Sequence, residues 1–155
     1  MSKLHESLVV ECPYDFARHD LAARVASAAA CGEDLPLSLT APLPGIELSK
    51  TVAVTYSTAR DPKRSDQPWH IHWKADSGAY PQFDGELTVR AGETASKARL
   101  ELHGSYSPPG GALGKAFDVA AGSRIASETA KVFLRRLGDD IEAHYRQHEE
   151  AKVSK

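Results

Sequence analysis

Residues 98–106 read Ala98-Arg99-Leu100-Glu101-Leu102-His103-Gly104-Ser105-Tyr106, an alternation of apolar and polar side chains that stops at Pro108-Pro109-Gly110-Gly111. Period-two alternation is the mark of a strand with one face buried. A helical pattern follows and runs to about Gln147. A helix of roughly 30 residues is about 45 Å long. In a chain of 155 residues, a rod of that length has to form one wall of the core, and the strands before it have to curve onto it. That geometry suggests a container.

Working back from this stretch, residues 83–90 form a strand with Leu87 and Val89 inward and Glu86, Thr88 and Arg90 outward. Residues 69–76 alternate cleanly. Trp69, Ile71, Trp73 and Ala75 take one face, and His70, His72, Lys74 and Asp76 the other. Residues 46–59 are a strand with Val52, Val54 and Tyr56 on one face. Residues 35–45 hold Leu35, Leu37 and Leu39 in alternation among prolines, which fits an edge strand or an irregular crossing. Short loops between successive strands imply an antiparallel meander with one wet face. At the other end of the sequence, residues 6–11 read as a strand ending at Cys12-Pro13. Pro13 is placed to open a helix over residues 14–30, with Phe16, Leu21, Val25 and Ala29 near one face.

The long helix carries apolar residues at four-residue spacing: Leu113, Phe117, Ala121, Ile125, Thr129, Phe133, Leu137, Ile141 and Tyr145. Each step of four drifts by about 40° around a regular helix, so one straight rod does not present all of them to one surface. A bend near Gly122, or a first section packed on another partner, is expected. Arg135 with Asp139, and Glu142 with Arg146, are spaced as ion pairs on the wet side. Residues 1–148 are expected to form a single domain and residues 149–155 a charged, disordered tail.

Composition fits a globular domain: 41% hydrophobic and 26% charged residues, with a net charge of −2. No Lys/Arg block gives a nucleic-acid footprint. No apolar run is long enough to span a membrane. The opening Met1-Ser2-Lys3-Leu4-His5-Glu6 lacks a signal-peptide core, which points to a cytoplasmic protein. The two cysteines, Cys12 and Cys31, are expected as free thiols.

The element order is strand, helix, antiparallel meander, long helix. Together with Phe83-Asp84-Gly85-Glu86-Leu87-Thr88-Val89 and a Gly-x-Tyr-x-Pro-Pro-x-Gly-x-Leu-Gly-x-x-x-Asp segment spanning Gly104 to Asp118, it resembles the SRPBCC superfamily. This is the START/Bet v 1-like, helix-grip group often labelled polyketide cyclase-like, and the motif is similar to that of its small bacterial members. The resemblance implies an α+β fold in which a curved antiparallel sheet wraps a long C-terminal helix, with a helix after the first strand. It also implies a mostly apolar cavity between sheet and helix. Members of the group bind lipids, sterols, polyketides, quinones or hormones, and some catalyse cyclisation or dehydration.

The inward faces supply Tyr56, Trp69, Ile71, Trp73, Leu87, Val89, Leu100, Leu102 and Tyr106, and the helix opposes them with Phe117, Ile125, Thr129, Val132 and Phe133. These are the candidate ligand-binding residues: an apolar lining with a few hydroxyl and indole tips to orient a guest. The same stripes also describe a filled core. His70 and His72, with His103 and either Glu86 or Glu101, offer metal-ligand side chains. The alternation turns both His70 and His72 to solvent, so no metal and no cofactor are expected. Asp118 reads as a helix N-terminal carboxylate before it reads as an acid–base group. Arg124 and Arg136 read as solvated. The expected function is a carrier or sensor of a small hydrophobic molecule. The alternative is a cyclase- or dehydratase-like enzyme in the same space, which needs paired polar groups such as Tyr56, Tyr106 or Asp118 near Arg124 or a histidine. A homodimer through the outer face bearing His70 and His72 is a third possibility.

Overall fold

The computed structural model describes residues 2–28, 33–40, 47–57, 69–75, 82–107 and 119–153. They form β1 (Ser2–Val10), α1 (Tyr14–Ala28), β2 (Glu33–Thr40), β3 (Glu47–Ser57), β4 (Trp69–Ala75), β5 (Gln82–Ala91), β6 (Ala98–Ser107) and α2 (Val119–Val153). The six strands make one antiparallel sheet in the order β1-β6-β5-β4-β3-β2. The expected α+β helix-grip architecture is therefore present.

β2 through β6 follow the meander read from the sequence, and β1 adds to β6 at the far edge. Its register, Ser2 opposite Tyr106 through Val10 opposite Ala98, explains why it starts at Ser2 rather than residue 6. Ladder hydrogen bonds to the full length of β6 recruit a polar segment that has no apolar alternation of its own. β2 takes the opposite edge, where the missing N–H of Pro36 does not interrupt an inner ladder.

Opposite residues share a face, so the registers define one inner row after another. Leu8, Leu100 and Val89 lie in one such row, and Leu102, Leu87 and Trp69 in the next. α2 lies close along β1, β6 and β2, and much less so along β3, β4 and β5 among the described residues. The sheet thus touches the rod at both edges and bows away from it in the middle. α1 packs across β5, β3 and β6 and against α2. It closes the end of the grip where β1 finishes, burying Ala17, Leu21, Val25 and Ala28.

α2 is helical through Val153. The segment read as a disordered tail is therefore helix over residues 149–153. The rod runs about two turns past the apolar ladder, with a Lys152–Glu149 pair and a contact of His148 with the ring of Phe16 along that stretch. Glu142 does not pair with Arg146. Its Oε1 accepts the Glu11 backbone N–H at 3.0 Å, and the expected Arg135–Asp139 pair is likewise absent among the described residues. Asp140 instead pairs with Arg24 of α1. Leu113, Phe117, Asp118 and the motif segment 108–118 lie outside the described residues, as do the side chains around Gly122 where a bend was expected.

Candidate functional site

Alternation dictates the site. β3, β4, β5 and β6 each send every second side chain inward, and those residues are apolar or aromatic. Of the sequence candidates, Tyr56, Trp69, Ile71, Trp73, Leu87, Val89, Leu100, Leu102 and Tyr106 are all buried on this inner face, none more than 6% exposed. From α2, Ile125, Thr129 and Phe133 are buried against them. Val132 is half-buried at the margin of the core. It also lines an open groove of about 280 Å³ with Arg135, Arg136, Asp139 and Asp140. On a helical projection it sits just off the stripe that Thr129 and Phe133 define.

In the middle of the grip, aromatic rings span the gap between the sheet and α2. Trp73 stacks on Phe83 with ring centroids 4.3 Å apart. Phe133 reaches down from α2 to Trp73 at 5.8 Å and to Tyr56 at 6.4 Å. These separations are the offset and tilted contacts favoured by aromatic quadrupoles. The bowed centre is therefore bridged by side chains with flat, polarisable faces. The hydroxyl of Thr129 donates to the Ile125 carbonyl at 2.7 Å, so its helix already uses it.

Several contributors were not among the candidates. Phe83 is fully buried and stacked on Trp73. It begins the same inward alternation as Leu87 and Val89, and that was the available signal. Glu6 faces inward from β1, opposite Leu102, and its Oε1 accepts the Ser127 hydroxyl of α2 at 2.5 Å. Its place between Leu4 and Leu8 on the inner face follows from the register of β1 on β6, which left no trace in the local sequence. Arg18 of α1 lies over the face of Trp69, its guanidinium carbon 5.4 Å from the ring centroid.

The outer face carries the polar set. His70 Nε2 lies 2.7 Å from Asp84, and His103 Nε2 lies 3.4 Å from Glu86. The rings of His5 and His103 meet edge to face at 6.5 Å. Glu101 pairs with Arg90 at 2.7 Å. Among the described residues, no three His, Cys, Asp or Glu side chains are grouped to hold a metal ion. Arg124 and Arg136 are exposed. Cys12 is a free, buried thiol. Burial, reinforced by Glu142 and Asp20 and opposed by a backbone hydrogen bond with Ala17, pushes it up to about 11. It is protonated and unreactive near neutrality. No described helix is long and apolar enough to cross a membrane.

The fold and inner face define a helix-grip protein whose sheet and C-terminal helix enclose an aromatic-rich interior. Solved structures share that fold. The Zhui aromatase/cyclase from Streptomyces sp. R1128 superposes with a TM-score of 0.52 at 12% identity, covering 91% of this chain and 93% of that one. A conserved protein from Geobacillus kaustophilus gives 0.57 at 9% identity over 90% and 95%. The di-domain aromatase/cyclase BexL of the BE-7585A biosynthetic pathway gives 0.51 at 17% over 92% of this chain and 47% of that one. At these identities the likeness is one of fold. No family model matches the sequence, and no curated protein does.

Proposed function

We propose that this protein binds a small hydrophobic molecule between its sheet and α2, as a cytoplasmic carrier or sensor. A lipid, polyketide, quinone or aromatic metabolite fits the chemistry. The observation that carries the reading is the bowed centre of the sheet. α2 is gripped at β1 and β2, and the span between them is crossed by Tyr56, Trp73, Phe83 and Phe133. A flat apolar guest can exchange places with ring-to-ring contacts at little cost in packing. Burial of its own surface then contributes about 25 cal/mol per Å². Tyr56, Tyr106 and the indoles supply the few polar tips such a site uses for orientation.

The test is native mass spectrometry of the purified protein with solvent extraction, joined to titration with the uncharged dye phenylnaphthylamine. A co-purifying apolar molecule, or saturable dye binding that the extracted molecule reverses, is expected. Absence of both a co-purifying molecule and saturable dye binding overturns the proposal.

A cyclase- or dehydratase-like reaction in the same space is favoured by one observation, the Glu6–Ser127 pair at the β1–α2 seam. A carboxylate beside a hydroxyl can hold or move a proton at a guest's oxygen. A complex in which the bound molecule lies beyond hydrogen-bond reach of both residues removes that support.

A further inference from the structure

We infer that Arg18 anchors an anionic oxygen of the ligand, so that the molecule held in the grip is an amphipathic acid rather than a plain hydrocarbon or neutral aromatic. This deepens the binding proposal and rests on it. Arg18 projects from the flank of α1, the helix that closes one end of the grip, and is half-buried. Its guanidinium lies on the Trp69 ring, which is an inner-face side chain only 3% exposed. The inner row beneath continues from Trp69 to Leu87 and Leu102, all apolar.

Among the described residues Arg18 has no acidic side chain within ion-pair distance and no hydrogen-bond acceptor. The other half-buried arginine of α1, Arg24, is paired with Asp140. Arg90, Lys97, Lys131 and Lys152 likewise each have a carboxylate. A cation held against an aromatic face is favoured by the ring quadrupole, and that contact does not consume the guanidinium N–H donors, which lie in its own plane. The arrangement therefore offers a fork of free donors at one end of an apolar row. A carboxylate, sulfonate or phenolate oxygen completes it by charge-assisted hydrogen bonds. The apolar body then extends along Trp69, Leu87 and Leu102.

The experiment compares two dyes with the same aromatic body, anilinonaphthalene sulfonate and the uncharged phenylnaphthylamine. It reads the ratio of their dissociation constants in the full chain. The sulfonate is expected to bind about tenfold more tightly than the neutral dye, the worth of a charge-assisted hydrogen bond. Arg18→Met is expected to bring the ratio to about one, and Arg18→Lys to keep the sulfonate preferred. Arg18→Gln serves the same comparison if the Met variant does not fold, with circular dichroism melts confirming the native state. Equal affinities in the parent protein, or a ratio unchanged in a folded Met or Gln variant, overturn the role of Arg18 and leave the binding proposal standing. Failure of both dyes to bind the parent protein overturns the role of Arg18, and overturns the binding proposal with it when no molecule co-purifies.

Discussion

Gly85 sits directly opposite Gly104 across the β5–β6 ladder, and the space where either would carry a Cβ is occupied by its neighbour's backbone. A Cβ on Gly104 would lie 2.4 Å from both the Asp84 carbonyl oxygen and the Gly85 Cα. One on Gly85 would lie 2.3 Å from the His103 carbonyl oxygen and 2.5 Å from the Phe83 ring. Backbone does not yield as a side-chain tip does, so the sheet itself would have to move. Gly104→Ala is expected to cost about 1–3 kcal/mol, as overpacking does, read as a lower midpoint in urea unfolding. A midpoint equal to the parent's would show that the two strands are free to part.

Gly138 makes the opposite case. Its added Cβ would meet the Leu8 Cδ2 at 2.8 Å, the movable end of a flexible side chain. The gain in helix propensity from Gly to Ala, about 1 kcal/mol, offsets the push on Leu8. Gly138→Ala should therefore change stability by less than about 1 kcal/mol in the same urea experiment, even though Gly138 is buried. A loss as large as that of Gly104→Ala would mean that α2 has no room to settle on β1.

Phe133 ties α2 to both Trp73 and Tyr56. Phe133→Ala removes a fully buried ring and should destabilise the protein by about 3–5 kcal/mol, measured by denaturation. It should also enlarge the interior and raise phenylnaphthylamine affinity, provided the variant remains folded at the working temperature. Dye affinity unchanged in a folded variant would place the guest elsewhere.

Cys12 links stability to alkaline pH. Its thiol ionises near 9.0 in the unfolded chain and about 11 in the fold. The raised value means that the folded state holds its proton longer. The stabilisation from keeping the thiol neutral is complete below about pH 9 and is lost as pH climbs from 9 to 11. Two units correspond to about 2–3 kcal/mol. Unfolding free energies measured across that range should fall more steeply for the parent than for Cys12→Ala. Parallel curves would rule out this thiol as the source.

The strands that alternate were the easiest part of the fold to read. Trp69, Ile71 and Trp73 declare an inward face because each apolar residue is separated by a polar one, and the structure puts all three where that pattern sends them. Partners distant in sequence left no comparable trace. Nothing in residues 2–5 announces that they pair with β6, because their place depends on ladder hydrogen bonds rather than on side chains. The Arg18–Trp69 contact joins elements whose separate patterns do not refer to each other. Glu142 shows the same limit on a helix: its spacing to Arg146 satisfied a local rule, yet the Glu11 amide, brought in by the fold, took the carboxylate. The candidate lining was legible as a face, and its occupancy by mutually stacked rings was not, since that depends on how far the sheet bows.

The strand order has a kinetic consequence. β1 is the first strand made and β6 the last, yet they lie side by side, with Val10 opposite Ala98. During synthesis, β1 is without its neighbour until the whole meander has emerged. The edge of β6 that receives it is likewise open until β1 arrives. Joining two such distant segments carries the entropic toll of closing a very long loop, which slows folding in proteins dominated by remote contacts. The hydrophobic interior stays open until both β1 and α2 have docked, so an apolar molecule can meet these surfaces before the grip closes.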